Sequence, residues 1–79
     1  SYEDAEEHGR RRALLLRALS EISDPGRTML VLKYVHGYDY ARIAQTLGVP
    51  QGSIGTTLLR VRRRLRDLLH EHGVRSHAA

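Results

Sequence analysis

A cluster of side chains between residues 51 and 66 has the chemistry of a surface that binds phosphates and bases. Guanidinium groups donate hydrogen bonds to phosphates and to base edges, and amides and hydroxyls bond to the same groups. Five arginines lie between residues 60 and 66, with no acidic residue among them. We predict contacts to DNA phosphates or base edges from Gln51, Ser53, Thr56, Thr57, Arg60, Arg62, Arg63, Arg64 and Arg66.

The apolar residues of the same segment predict an α-helix that turns most of these side chains outward. At about 100° per residue, its apolar residues fall within one arc roughly 100° wide, as a core-facing stripe requires. The stripe consists of Ile54, Leu58, Val61, Leu65, Leu68 and Leu69. Arg60, Arg63 and Arg64 fall on the opposite side, and Arg62 and Arg66 flank the stripe.

A second, shorter helix is predicted immediately before this one. Asp39 can cap its N-terminus, and Gly48 can end it in the left-handed conformation. Ala44 is small enough to let the two helices approach closely, and Ile54 would anchor the second helix beneath the first. This arrangement is typical of a helix-turn-helix, whose second helix can lie in the DNA major groove.

Composition narrows the range of functions. Seventy-nine residues make one small domain, and its net charge is +4 although four acids lie within residues 3–7. The strongly basic remainder favours nucleic acid, an anionic membrane or an acidic protein as partner.

No apolar run exceeds four residues, so no membrane span or signal peptide is expected, and the lack of cysteine agrees with a cytoplasmic location. Tyrosine is the only aromatic type, which argues against binding by base stacking.

The remaining residues predict two more helices. Residues 1–10 are either an interdomain linker or the start of a helix, and Leu15, Ala18, Leu19 and Ile22 recur at helical spacing. The next helix should begin with Asp24 as its N-cap and Pro25 as its first residue. Residues 29–35 are apolar around most of its circumference, which predicts a central position in the bundle.

We therefore expect an all-α fold, a four-helix domain over residues 11–72 that contains a helix-turn-helix. Gly37 should end the second helix, and Gly73 should end the fourth. Residues 73–79 would then form a flexible tail.

Two stretches and seven single residues resemble the pattern of a known family. Residues 33–40 read Lys-Tyr-Val-His-Gly-Tyr-Asp-Tyr, and residues 47–54 read Leu-Gly-Val-Pro-Gln-Gly-Ser-Ile. Together with Ile43, Ala44, Leu58, Arg60, Arg62, Leu65 and Arg66, they resemble the C-terminal region four domain of bacterial RNA polymerase sigma factors, specifically the extracytoplasmic-function group. The resemblance covers about residues 19–69.

The resemblance implies a DNA-binding domain without catalytic activity, cofactor or small-molecule substrate. Such a domain recognises the −35 promoter element in double-stranded DNA and docks on the β flap of RNA polymerase to direct transcription initiation. An anti-sigma factor is a further implied partner. The chain would then be the C-terminal piece of a longer factor.

The chain departs from the family pattern at several positions. Arg42 stands where glutamate is usual, and Val61 replaces the alanine of an Arg-Ala-Arg motif. Gly55, Thr56 and Thr57 replace a basic residue, serine and arginine. The promoter sequence therefore does not follow from the resemblance.

Two alternative functions remain open at this stage. One is a LuxR-type helix-turn-helix output domain of a response regulator, which has a similar four-helix layout. The other is a protein-interaction module bound by an anti-sigma factor through the apolar surfaces of the first two helices.

Catalytic and metal-binding functions find little support. His70 and His72 are two residues apart, so a helix points them in different directions, and we interpret both as part of a solvated helix end. A further hypothesis is that Ala78 and Ala79 form a degradation tag.

Overall fold

Four α-helices and one short 3-10 helix make up the fold. The computed structural model describes the backbone of residues 1–78 and the side chains of residues 1–73. Helix α1 spans Tyr2–Ser20, α2 spans Gly26–Tyr34, α3 spans Tyr40–Leu47 and α4 spans Ile54–Ala78, with the 3-10 helix at Gln51–Ser53. Every element in this part of the chain is helical, which confirms the predicted all-α, four-helix class.

Helix α1 begins at the acidic start of the chain. Ser1 Oγ accepts a hydrogen bond from the backbone N–H of Asp4 at 3.3 Å, which caps the helix. One turn later, Glu7 pairs with Arg10 at 2.8 Å and with Arg11 at 3.1 Å. The hydrogen bond from Arg10 lowers the pKa of Glu7. Glu7 therefore offsets part of the positive charge of the two arginines that follow it.

The start of α2 differs from the prediction by one residue. Pro25 is the N-cap residue and Gly26 is the first residue of the helix. Asp24 still serves the helix start, because its Oδ1 accepts a hydrogen bond from the backbone N–H of Thr28 at 3.1 Å. A second hydrogen bond, from the Thr28 hydroxyl, is the main cause of the lowered pKa of Asp24.

The prediction that α2 lies in the centre of the bundle is only partly right. Met29 and Leu30 are buried, whereas Tyr34 is 56% exposed and Val35, just after the helix, is 73% exposed. Helices α3 and α4 pack against α2, whose residues 26–33 are buried or half-buried, and the exposed side chains lie only at its C-terminal end. A similar difference appears on α1, where Leu15 is exposed rather than packed.

The turn between α3 and α4 has the predicted chemistry. Asp39 Oδ1 accepts a hydrogen bond from the Arg42 backbone N–H at 2.8 Å, and Gly48 takes the left-handed conformation at φ +68°. Ile43, Ala44 and Ile54 are all buried in one core. The helix-turn-helix formed by α3 and α4 is therefore confirmed.

A close approach between α2 and α4 depends on a glycine. A Cβ atom added to Gly26 would lie 2.5 Å from Val61 Cγ1, far inside van der Waals contact. Val61 is the residue that stands in place of the family's alanine, and the missing side chain at Gly26 makes room for it. This contact fixes the start of α2 against the middle of α4.

Gly73 does not end α4, contrary to the prediction, because the helix continues through it to Ala78. Its φ is not positive, and a Cβ added there would lie 3.9 Å from Leu14 of α1. Packing on α1 offsets the helix cost of a glycine, about 0.5–1 kcal/mol. The proposed degradation tag includes Ala79, which lies outside the described residues.

Among the described helices, none has the length and apolar character needed to cross a bilayer.

Candidate nucleic-acid interface

Helix α4 separates apolar from basic side chains. Ile54, Leu58, Val61 and Leu68 are buried, and Leu65 and Leu69 are half-buried against them. All five arginines between residues 60 and 66 are exposed. The apolar stripe thus holds the helix against the bundle while the guanidinium groups face solvent.

The exposed side of α4 carries positive charge that is not engaged in salt bridges with the described residues. Arg60, Arg63 and Arg64 form no ion pair with any carboxylate among the described residues. By contrast, Arg10, Arg11 and Arg27 pair with acids on their own helices or turns. The three arginines of α4 can therefore bind phosphate without breaking an internal contact.

Two further arginines lie on the other flank of the same helix, beside α2. The Arg62 guanidinium lies 5.7 Å from the centre of the Tyr34 ring, and Arg66 Nε lies 3.8 Å from Asp67 Oδ1. Together with Leu30, Leu65 and Leu69, they line a groove between α2 and α4. Arg60 and Arg64 thus form one row and Arg62 and Arg66 form a second, with Arg63 between them on the outward face.

The four predicted contact residues that are not arginines differ in exposure, and therefore in how easily they can reach a ligand. Gln51 and Thr56 are exposed, whereas Ser53 and Thr57 are half-buried. The Ser53 hydroxyl donates a hydrogen bond to the Pro50 carbonyl at 2.7 Å, so part of its bonding capacity serves the turn. Gln51, Thr56 and Arg60 are the predicted base-reading residues that the structure leaves most accessible.

A known protein family matches most of this chain. A model of the sigma-70 region 4 family matches residues 10–65, more than two thirds of the chain. The chain belongs to the sigma-70 region 4 family. It is therefore a DNA-binding domain of the sigma-factor type, a class that acts in transcription initiation with RNA polymerase. A comparison with curated protein sequences finds no match.

The region 4 domain also exposes apolar side chains beside its predicted reading residues. Leu59 of α4 is 47% exposed and Tyr40 of α3 is 42% exposed. Both lie beside Gly55, whose missing side chain leaves the Tyr40 ring close to the α4 backbone. Reasoning from the sequence overlooked Leu59, although its place next to Arg60 and outside the apolar stripe was a usable signal.

Arg42, the departure noted on α3, has a structural role in this region 4 domain. Its guanidinium lies 3.8 Å from the centre of the Tyr38 ring, a distance at which cation–π attraction operates. The Arg42 side chain therefore contacts the turn before α3, where a capping-box glutamate would instead bond to the backbone. Asp39 still caps the helix, because it accepts a hydrogen bond from the Arg42 backbone N–H.

The interpretation of His72 as part of a solvated helix end is wrong. His72 is buried, and its Nε2 shares a hydrogen bond with Glu21 Oε2 at the end of α1. It lies eighteen positions after Ile54, about five helical turns, and so falls on the same core-facing side of α4. His70, two residues earlier, is exposed as predicted.

Proposed function

We propose that this region 4 domain recognises the −35 promoter element by placing the first turns of α4 in the DNA major groove. The proposal rests on one observation. Arg60, Arg63 and Arg64 form no salt bridge with a described residue and lie on the outward side of α4, while the opposite side of this helix is buried in the core. A helix-turn-helix presents its second helix to DNA in this orientation. The resemblance of residues 33–40 and 47–54 further supports assignment to the extracytoplasmic-function group, which works in the cytoplasm.

The two rows of arginines suit the two phosphate backbones that border a groove. Arg60 and Arg64 lie on one flank of α4, and Arg62 and Arg66 lie on the flank beside α2, with Arg63 between them. A helix in the major groove is flanked by one phosphate strand on each side. We infer that the rows bind opposite strands and hold the helix in register.

Base contacts come from the turn and the first part of α4, as far as Arg60. The N-terminal residues of a recognition helix are the ones that meet base edges. We assign this role to Gln51, Thr56 and Arg60, with Ser53 and Thr57 contributing hydroxyl contacts at the edge of the interface. Phosphate contacts position the helix, and these polar side chains supply sequence preference.

Salt dependence of DNA binding tests this proposal. The intact domain is titrated against a fluorescent duplex, selected from a random library, at several KCl concentrations. If about four to six phosphates are neutralised, the logarithm of affinity should fall against log salt with a slope near −4 to −5. Replacing Arg63 or Arg64 by glutamine should reduce the magnitude of that slope by about 0.9 each.

A matched control comes from α1. Arg12 is exposed like Arg63 but lies on a different helix, so Arg12→Gln should leave the slope unchanged. A slope near zero for the unmodified domain, or equal losses from Arg12→Gln and Arg63→Gln, would contradict the proposed mode of binding.

We propose that the exposed apolar residues around the end of α2 dock on a protein partner. Val35 is 73% exposed and Tyr34 is 56% exposed, whereas Leu59, next to Arg60 on α4, is 47% exposed. For a region 4 domain the candidate partners are the polymerase β flap and an anti-sigma factor. Binding of a flap peptide that is lost in Val35→Asp, while DNA affinity is kept, would support this role.

A further inference from the structure

A shallow depression interrupts the polar face of the helix-turn-helix. It lies where α3, the 3-10 helix and the start of α4 meet, within the surface assigned to DNA. Its lining consists of Tyr40, Gln51, Gly52, Gly55, Thr56 and Leu59. The Leu59 side chain and the Tyr40 ring give the depression apolar walls, with the Tyr40 hydroxyl also beside Gly55, in contrast to the arginines further along α4.

Gly55 creates this depression. A Cβ atom added there would lie 3.4 Å from Tyr40 Cε2, so even an alanine methyl would just touch the ring. The Lys33 ammonium of α2 lies 5.4 Å from the centre of the Tyr40 ring, within the range of cation–π attraction. The space beside Gly55 is therefore bordered by a ring that α2 also contacts, and by Leu59.

The chemistry of the major groove supplies one group that fits an apolar depression. Base edges there present hydrogen-bond donors and acceptors, and the only apolar group is the C5-methyl of thymine. Gln51 and Thr56 at the rim can bond to the polar edges of the same or the neighbouring base pair. The unpaired charges of Arg60 and Arg63 attract a polyanion to this surface and disfavour basic partners.

We propose that the depression formed by Gly55, Tyr40 and Leu59 receives the C5-methyl group of a thymine and so specifies a T·A pair at one position of the promoter element. This inference rests on the proposed DNA-binding function and adds to it a specificity determinant. Gly55 contributes by the absence of a side chain, and Leu59 contributes apolar contact area. The glycine that removes a basic reading residue thus replaces one form of base readout with another.

Deoxyuridine provides the test, because it differs from thymidine only by lacking the methyl group. The tightest duplex from the random-library selection is resynthesised with one thymine at a time replaced by deoxyuridine, and affinities of the intact domain are measured by fluorescence anisotropy. At one position the replacement should weaken binding about fourfold, the effect of leaving one methyl group unburied. Replacements elsewhere should change affinity less than about twofold.

Two variants locate the effect on the protein. Gly55→Ala fills the depression and Leu59→Ser removes its apolar wall, so in each the thymine-to-deoxyuridine ratio at that position should fall close to one. Leu16→Ser is the matched control, since Leu16 on α1 is 53% exposed, close to the 47% of Leu59. The ratio should remain about fourfold in this control.

The outcomes separate this inference from the proposed function. Salt-dependent binding with no methyl-sensitive position overturns the inference alone, and so does a ratio that stays fourfold in both variants. Failure to bind any duplex overturns the proposed function as well. The measurement on the unmodified domain needs no variant, so a folding defect in Gly55→Ala or Leu59→Ser cannot conceal the result.

Discussion

Replacing Gly26 by alanine should destabilise the domain through a single steric overlap. The new Cβ would lie 2.5 Å from Val61 Cγ1, whereas carbon atoms pack at about 3.5–4.0 Å. The overlap is therefore about 1 Å or more. Gly26 and Val61 are both buried, so neither side can move into solvent.

The neighbouring side chain has little freedom to relieve this overlap. Val61 is β-branched and lies within a helix, where valine strongly prefers one χ1 rotamer. The start of α2 must shift instead, and overpacking of this kind costs about 1–3 kcal/mol. In a domain of this size each kcal/mol lowers the melting temperature by about 4–8 °C.

Urea and thermal unfolding followed by circular dichroism measure this cost. The decisive comparison is a double-mutant cycle with Val61→Ala, which removes the overlapping methyl groups. In that background Gly26→Ala should cost at least about 1 kcal/mol less than in the unmodified chain, because neighbouring residues couple.

Gly9→Ala is the control for the general effect of adding a methyl group to a glycine. No heavy atom would lie within 4 Å of a Cβ at Gly9, which sits inside α1. Alanine there should stabilise the domain by about 0.5–1 kcal/mol. The steric explanation is refuted if Gly26→Ala unfolds at the midpoint of the unmodified chain, or if its cost is the same with and without Val61.

Three further predictions concern caps, acid stability and the buried histidine. Asp39→Ala removes the cap of α3 and should cost about 1 kcal/mol in urea unfolding. Asp24 has a lowered pKa in the folded state, so its contribution to the free energy of unfolding is complete above the ordinary pKa of 3.8 and is lost as pH falls through the folded pKa. Urea unfolding between pH 5 and pH 3 should show this loss of stability. Asp24→Asn should make the loss smaller. His72→Ala removes a buried side chain together with its hydrogen bond to Glu21, and should destabilise the domain by about 1–3 kcal/mol in the same assay.

Each of these has a comparison that can contradict it. Asp39→Asn keeps a capping oxygen and should retain most of the stability, so an equal loss from alanine and asparagine would argue against capping. An acid profile that is identical in Asp24→Asn would show that this carboxylate is not responsible. His70→Ala, an exposed neighbour, should change stability by no more than about 0.5 kcal/mol. Equal effects at His70 and His72 would refute the role assigned to burial.

Features governed by neighbouring residues in the sequence were predictable. The cap at Asp39, the left-handed Gly48 and the apolar stripe from Ile54 to Leu69 all follow from short-range rules. Because that stripe fixes the rotation of α4 about its axis, the outward side of Arg60 and Arg63 could be predicted as well. Their assignment to DNA contacts stays a prediction until binding is measured.

Features governed by contacts between distant segments were not predictable. Gly73 satisfies the local criteria for a helix end, yet α4 continues through it where the helix lies against α1. His72 carries a polar ring, and the hydrogen bond that it shares with Glu21 at the end of α1 offsets part of the cost of its burial. The role of Gly26 likewise becomes visible only when Val61 is placed beside it.

Because α4 is one continuous helix, it limits where the chain can accept inserted residues. The arginines near its beginning and His72 near its end share one continuous backbone, so their angular relation is set by the number of residues between them. Inserting a single residue near Asp67 would rotate everything beyond it by about 100° and turn His72 away from Glu21. Insertions should instead be accommodated near Gly37, where the chain is already outside any helix.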